Sequence, residues 1–141
     1  MEAVRVKIDA FDGEGLKWAF DNGSWTTGIK NYKPQNDLKS FDCLERHLET
    51  DELFVLLAGE CCLIIGEQAA VGRPSVFQAL LMAPHRVYTI AKGAWHTTVT
   101  KPGVKLILIE KSGTSMANSE AWTFSAAEAA DAAAVVKNAG W

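Results

Sequence analysis

A chain of 141 residues has room for one domain with a sizeable core, not for two of ordinary size. Its 48% hydrophobic and 22% charged residues exclude a disordered tail or a membrane-embedded protein. The formal net charge of −3, with basic residues scattered along the chain, provides no dense phosphate-binding face, so nucleic acid is not an expected partner.

The first residues, Met1 to Lys7, alternate charge and valine and lack the continuous apolar stretch of a secretory signal. The longest nearly apolar run, Leu53 to Ile65, is interrupted by Gly59 and Glu60 and is too short to span a bilayer as a helix. Cys43, Cys61 and Cys62 are odd in number and two are adjacent, a poor disulfide framework. A cytoplasmic location without a membrane partner is expected, with Cys61 and Cys62 serving as small strand hydrophobes.

From Val4 to Glu110, short runs rich in Val, Ile, Thr, Trp, Tyr and Phe alternate with turn residues, the pattern of an all-β sandwich or barrel. Strands are expected at 4–8, 16–20, 25–32, 41–47, 53–57, 61–65, 75–81, 87–90, 96–100 and 104–110. Asp12-Gly13, Asn22-Gly23, Ala58-Gly59, Lys92-Gly93, Pro102-Gly103 and Ser112-Gly113 supply the reversals. Leu106 to Ile109 is apolar without alternation, as in a strand covered on both faces. That run and the strand at 4–8 predict a homodimer through strand edges or a sheet face.

After Gly113 the composition turns to alanine, and Ser125-Ala126-Ala127-Glu128 reads as a capping box. A helix at about 125–138 is expected to end near Asn138 to Gly140. Having few large side chains, it should be held loosely against the barrel. Residues 1–113 are thus expected to form the barrel, and 114–141 an extension of the same domain.

The chemistry-bearing segment is Glu45-Arg46-His47-Leu48-Glu49-Thr50-Asp51-Glu52. Residues two apart on a strand share a face, so Cys43, Glu45 and His47 can point together into the interior. A turn at Glu49 to Asp51 can return Glu52 beside them, where an unpaired carboxylate opening an apolar strand would be costly. Far along the chain, Gly93-Ala94-Trp95-His96 starts a strand with a second histidine.

In these features the chain resembles the cupin family. His47, four residues, Glu52, six residues and Gly59 match the second half of the first cupin motif, and Gly93, two residues and His96 match the core of the second. The resemblance covers about Glu45 to Thr100. It implies a jelly-roll β-barrel, followed here by the C-terminal α-helix, in which His47, Glu52 and His96 converge on one metal ion. The family's leading histidine is replaced by Glu45, its usual proline by Ala91 and its frequent asparagine by Thr100. Glu45 can still ligate, and a set of two nitrogens and two oxygens suits Zn, Fe, Mn or Ni.

The resemblance implies isomerase, lyase or oxygenase chemistry on a small polar molecule such as a sugar or hydroxy acid, with Glu45 or Glu52 as general base. A non-catalytic small-molecule or metal-binding module is the alternative. Trp95, beside His96, is expected to shape the pocket. Arg86 and Tyr88 are candidates to reach an anionic ligand, and Lys30 and Tyr32 share a strand face that could line the mouth. His85, outside the motif, is expected at the rim.

Overall fold

Runs of β-branched and aromatic residues closed by Gly and Asn turns become ten strands in the computed structural model, which describes residues 5–141. In chain order they are β1 (Leu16–Asp21), β2 (Trp25–Asn31), β3 (Cys43–His47), β4 (Glu52–Ala58), β5 (Cys61–Glu67), β6 (Val76–Leu81), β7 (Val87–Ile90), β8 (Trp95–Thr100), β9 (Lys105–Lys111) and β10 (Ser119–Thr123). A single helix, α1 (Ala126–Asn138), closes the chain. The strands form two five-stranded sheets, ordered β1-β2-β9-β4-β7 and β10-β3-β8-β5-β6. Every pairing is antiparallel.

The sheets face one another. Phe54, Leu56, Leu106 and Leu108 of the first pack with Cys61 and Leu63 of the second, filling one half of the interior. The other half is polar and holds the site described below. No described helix is long and apolar enough to cross a membrane. Burial pushes the Cys61 thiol up to about 12 and that of Cys62 up to about 11, so both remain thiols at neutral pH, as expected of small strand hydrophobes.

Four expectations need correction. No strand forms over the described part of 4–8, and Val4 itself lies outside the described residues. The chain ahead of β1 is held instead by side chains: Asn31 donates to the carbonyls of Phe11 and Gly13, Lys105 to that of Phe11, and Lys7 to that of Ala19. The apolar run in β9 does alternate, since Leu106, Leu108 and Glu110 face inward and are buried while Ile107 and Ile109 are half-buried on the outer face.

The extension after Gly113 contributes β10, which pairs with β3 through Ser119↔His47 to Thr123↔Cys43. Only Trp122 of that strand is buried, so the segment carries little apolar signal. The helix begins, as expected, at a Ser125–Glu128 capping box. It is not loose, however, because Ala132 and Val136 are fully buried against Leu44, Ile64, Phe77 and Trp122 on the outer face of the second sheet. Small side chains let the helix backbone approach an aromatic-rich surface closely.

Candidate metal centre

β3 ends on His47, and a short turn carries the chain to the other sheet, where β4 opens on Glu52. Glu45, two residues before His47, lies directly opposite His96 in the β3–β8 pairing. Gly93, with φ of 82°, turns the chain ahead of β8, and its N–H donates to the His47 carbonyl at 2.8 Å. The two halves of the sequence pattern are therefore tied together by backbone. One donor atom from each of Glu45, His47, Glu52 and His96 lies within 4.8 Å of all the others.

The hydrogen bonds around the two imidazoles orient them. His96 Nδ1 is 2.9 Å from the Ala94 carbonyl, an oxygen that can only accept, so the proton sits on Nδ1. Its Nε2, 3.3 Å from Glu52 Oε1, then faces a carboxylate across a contact that needs either a second ring proton or a cation. His47 is built similarly, with Nδ1 2.8 Å from Ser119 Oγ and Nε2 3.0 Å from Glu52 Oε2. An imidazole whose outer nitrogen is held by a protein oxygen while the inner one converges with carboxylates has the arrangement of a metal ligand.

Electrostatics agree with the geometry. Burial alone would push the Glu52 carboxyl up, but hydrogen bonds with His47, His96 and Glu110 together hold it well below the usual carboxylate range. The bond to Glu52 raises His47, more than burial lowers it. Two nitrogens and two carboxylates suit a divalent Zn, Fe, Mn or Ni ion, so the residues present fit the metal that the pattern implies.

A fifth group, Glu110, is missing from the sequence reading. It is 6% exposed, lies opposite Glu52 in the β4–β9 register, and has Oε2 3.7 Å from His47 Nε2. Burial first, then the neighbouring Glu52 and Glu45 carboxylates, push it up to about 9, so it carries a proton at neutral pH. The available signal was period two: Leu106, Leu108 and Glu110 share a face, and a carboxylate continuing an inward apolar row has to meet a partner.

With His96 buried behind them, Glu45, His47, Glu52 and Glu110 line a cavity of about 280 Å³. Its other wall is apolar, made by Leu16, Trp18, Phe54, Leu108 and Met116. Lys30 reaches into it from β2 and donates to Thr98 Oγ1 of the opposite sheet at 2.9 Å.

The remaining expected lining residues lie elsewhere. Trp95 projects from the other face of β8 into the layer beneath α1, against Trp122 and under Arg46, because neighbours on a strand point to opposite sides. The Tyr88 hydroxyl accepts from the Ala83 N–H, while the Tyr32 hydroxyl donates to Asp37 at a separate surface cleft. Arg86 is exposed on the turn before β7. His85 precedes it, exposed and with φ of 62°, on a turn outside the cavity.

Neither a protein-family model nor a curated protein sequence matches the chain. Solved structures do. A cupin-2 domain containing protein from Shewanella frigidimarina superposes with a TM-score of 0.51 at 17% identity, covering 72% of this chain and 84% of the other. Streptomyces Pac13 with uridine reaches 0.54 at 8% identity, over 88% of this chain and 93% of the other. A protein from Planctomyces limnophilus reaches 0.52 at 14% identity, over 74% and 79%. At such identities the likeness carries architecture alone. Two facing antiparallel sheets in this strand order, superposing on a cupin-2 domain, give the chain the cupin fold.

Proposed function

We propose that the protein is a metal-binding cupin enzyme acting on a small polar molecule by isomerase, lyase or oxygenase chemistry. One observation carries the reading: four donors on three different strands converge, three of them lining an open cavity, with both histidines oriented by outer partners. His47, His96 and Glu52 would hold the ion, with Glu45 as the fourth donor. A bound divalent metal supplies Lewis-acid polarisation of a substrate oxygen.

The chain's own groups supply the rest. When His47, His96 and Glu52 alone hold the ion, Glu45, with a side chain 45% exposed, is the carboxylate in reach of both the histidines and solvent and is placed to accept a proton. Glu110 holds a proton next to Glu52 and can deliver it into the cavity. The apolar wall of Leu16, Trp18, Phe54, Leu108 and Met116 excludes water from one side of a bound molecule. Pac13 is described as a nucleoside dehydratase, so the fold accommodates lyase chemistry, one of the three classes open here.

Elemental analysis of protein purified without added metal tests the reading. About one transition-metal ion per chain is expected, removable by a chelator, restored on dialysis, and missing from His96→Ala. A folded wild-type chain that takes up none of Zn, Mn, Fe or Ni at millimolar concentration overturns it.

A further inference from the structure

The apolar wall of the metal cavity is open to solvent. Leu16 is 42%, Trp18 45% and Met116 61% exposed, and all three line the cavity. Apolar side chains exposed singly are ordinary on a protein surface, but several gathered at one concave site form a patch that calls for a partner. Much of the polar lining beside them is already engaged, Glu52 with both histidines, Ser119 with His47 and Lys30 with Thr98.

Two local features hold the patch in place. In the β1–β2 pairing Trp18 stands directly opposite Gly28, and a Cβ at that glycine would come 2.7 Å from Leu16 Cδ1 and 3.1 Å from Trp18 Cε3. The missing side chain lets the leucine and the indole lie down over the glycine, side by side. Met116 comes from the segment that enters the second sheet, where it opens a short 3-10 turn, Met116–Asn118. A capping box between Ser115 and Asn118 closes that turn, and Asn118 also donates to the Gly113 carbonyl and accepts from the Leu48 N–H. The methionine is thus presented by an ordered segment, so little further ordering is needed when something binds against it.

Resting on the reading of a metal-dependent enzyme given above, we infer that the molecule it acts on is amphipathic, with an oxygen-bearing head at the metal ligands and an apolar ring held against Leu16, Trp18 and Met116. A free sugar or a short hydroxy acid would leave those side chains in water, whereas a ring removes both them and itself from it. Trp18 adds an aromatic surface on which a flat ring can stack with an offset. At about 280 Å³ the cavity stands at the small end for ligand pockets, with room for a head group and a ring and not for a long chain.

The test is calorimetric titration of the whole zinc-loaded chain with two hydroxamates that share one metal-binding head, benzohydroxamate carrying a ring and acetohydroxamate a methyl group. Benzohydroxamate is expected to bind about tenfold more tightly or better. Trp18→Gln with Met116→Gln should lower that ratio about fivefold or more, and Gly28→Ala, which displaces Leu16 and Trp18 without removing either, should lower it as well. Acetohydroxamate and zinc affinities should stay within about twofold in each variant. Cooperative unfolding of the metal-free variants shows that each is folded. The metal-free wild-type chain should bind benzyl alcohol in preference to ethanol and lose that preference in the double variant. A chain that does so but takes up no zinc refutes the proposed metal enzyme and leaves the apolar subsite standing. A wild-type chain with no preference for the ring, or a preference undiminished in the double variant, overturns the inference. So does a wild-type dimer that the double variant turns into monomer with the ratio unmoved, since the patch is then a contact between copies.

Discussion

The hydrogen bonds at the outer nitrogens of the two histidines mark them as candidate ligands rather than a pair of core histidines. Losing His47 or His96 removes a donor outright, so His47→Ala and His96→Ala should each lower zinc affinity by more than the 10- to 100-fold typical of losing an outer partner, while Ser119→Ala should fall near that range. His85→Ala should leave zinc affinity unchanged, since that residue stands on a turn outside the cavity. The ion has to displace a proton from His47, which Glu52 holds above its ordinary value, so affinity should fall as pH drops, with a midpoint above ~6.5. Glu110 gives the metal-free protein a pH dependence of its own. Folding keeps its proton up to about 9, whereas the unfolded chain releases it near 4.5, so stability should decline as pH rises between those values. His47, raised on folding, adds to the same decline above ~6.5, and Glu52 has finished contributing by then. Denaturant melts of metal-free protein at pH 5.5 and 9 should show this loss, and Glu110→Gln should flatten most of it.

Among the elements, two attachments matter to the site. The turn between β4 and β5 depends on Gly59, which has φ of 74° and whose missing Cβ would stand 2.6 Å from the Val104 Cα. Gly59→Ala should cost at least the 1–2 kcal/mol of a left-handed backbone, and more because the obstructing atoms are backbone and cannot rotate away. Equilibrium unfolding of the metal-free variant checks this, a loss under 0.5 kcal/mol being incompatible with the packing described. The second attachment is α1, whose Val136 is fully buried beneath the aromatic layer. Val136→Ala should destabilise by about 2 kcal/mol, from two buried carbons plus a partly unfilled cavity. It should leave zinc affinity intact, because the helix lies on the face of the second sheet opposite the histidines.

At the scale of the whole molecule, no helix among the described residues covers the outer face of the first sheet. Leu53, Val55, Ile107 and Ile109 meet there as directly paired neighbours, half-buried, with Trp25 46% and Val87 63% exposed at its margins. A contiguous apolar sheet face of this kind marks an association surface, and a second copy is the expected partner because the same patch can meet itself about a two-fold axis. Sedimentation at micromolar concentration should show a dimer of the 15.3 kDa chain, and Val55→Lys with Ile107→Lys should return it to monomer. A wild-type monomer under those conditions would remove this face as the dimer contact.

Nine of the ten strands, the capped helix and the four candidate ligands were legible in the sequence, since each is announced by something local: period two, a glycine turn, a capping box, a histidine and glutamate at fixed spacing. Where each strand's faces turn was not. Period two says that Trp95 and His96 point apart without saying which points inward, so the tryptophan beside the ligand was placed in the pocket when it belongs to the layer under α1. Period two puts Glu110 on the inward face with Leu106 and Leu108, but its place beside Glu52 comes from the β4–β9 register, a pairing between residues 58 apart in sequence. β10 was invisible because pairing with β3, rather than its own apolar content, makes it a strand. Local chemistry decides which segments extend and which residues can hold a cation. Only the packing of one sheet on the other decides which carboxylates and lysines share the cavity, because that depends on the inward faces of strands far apart in the chain.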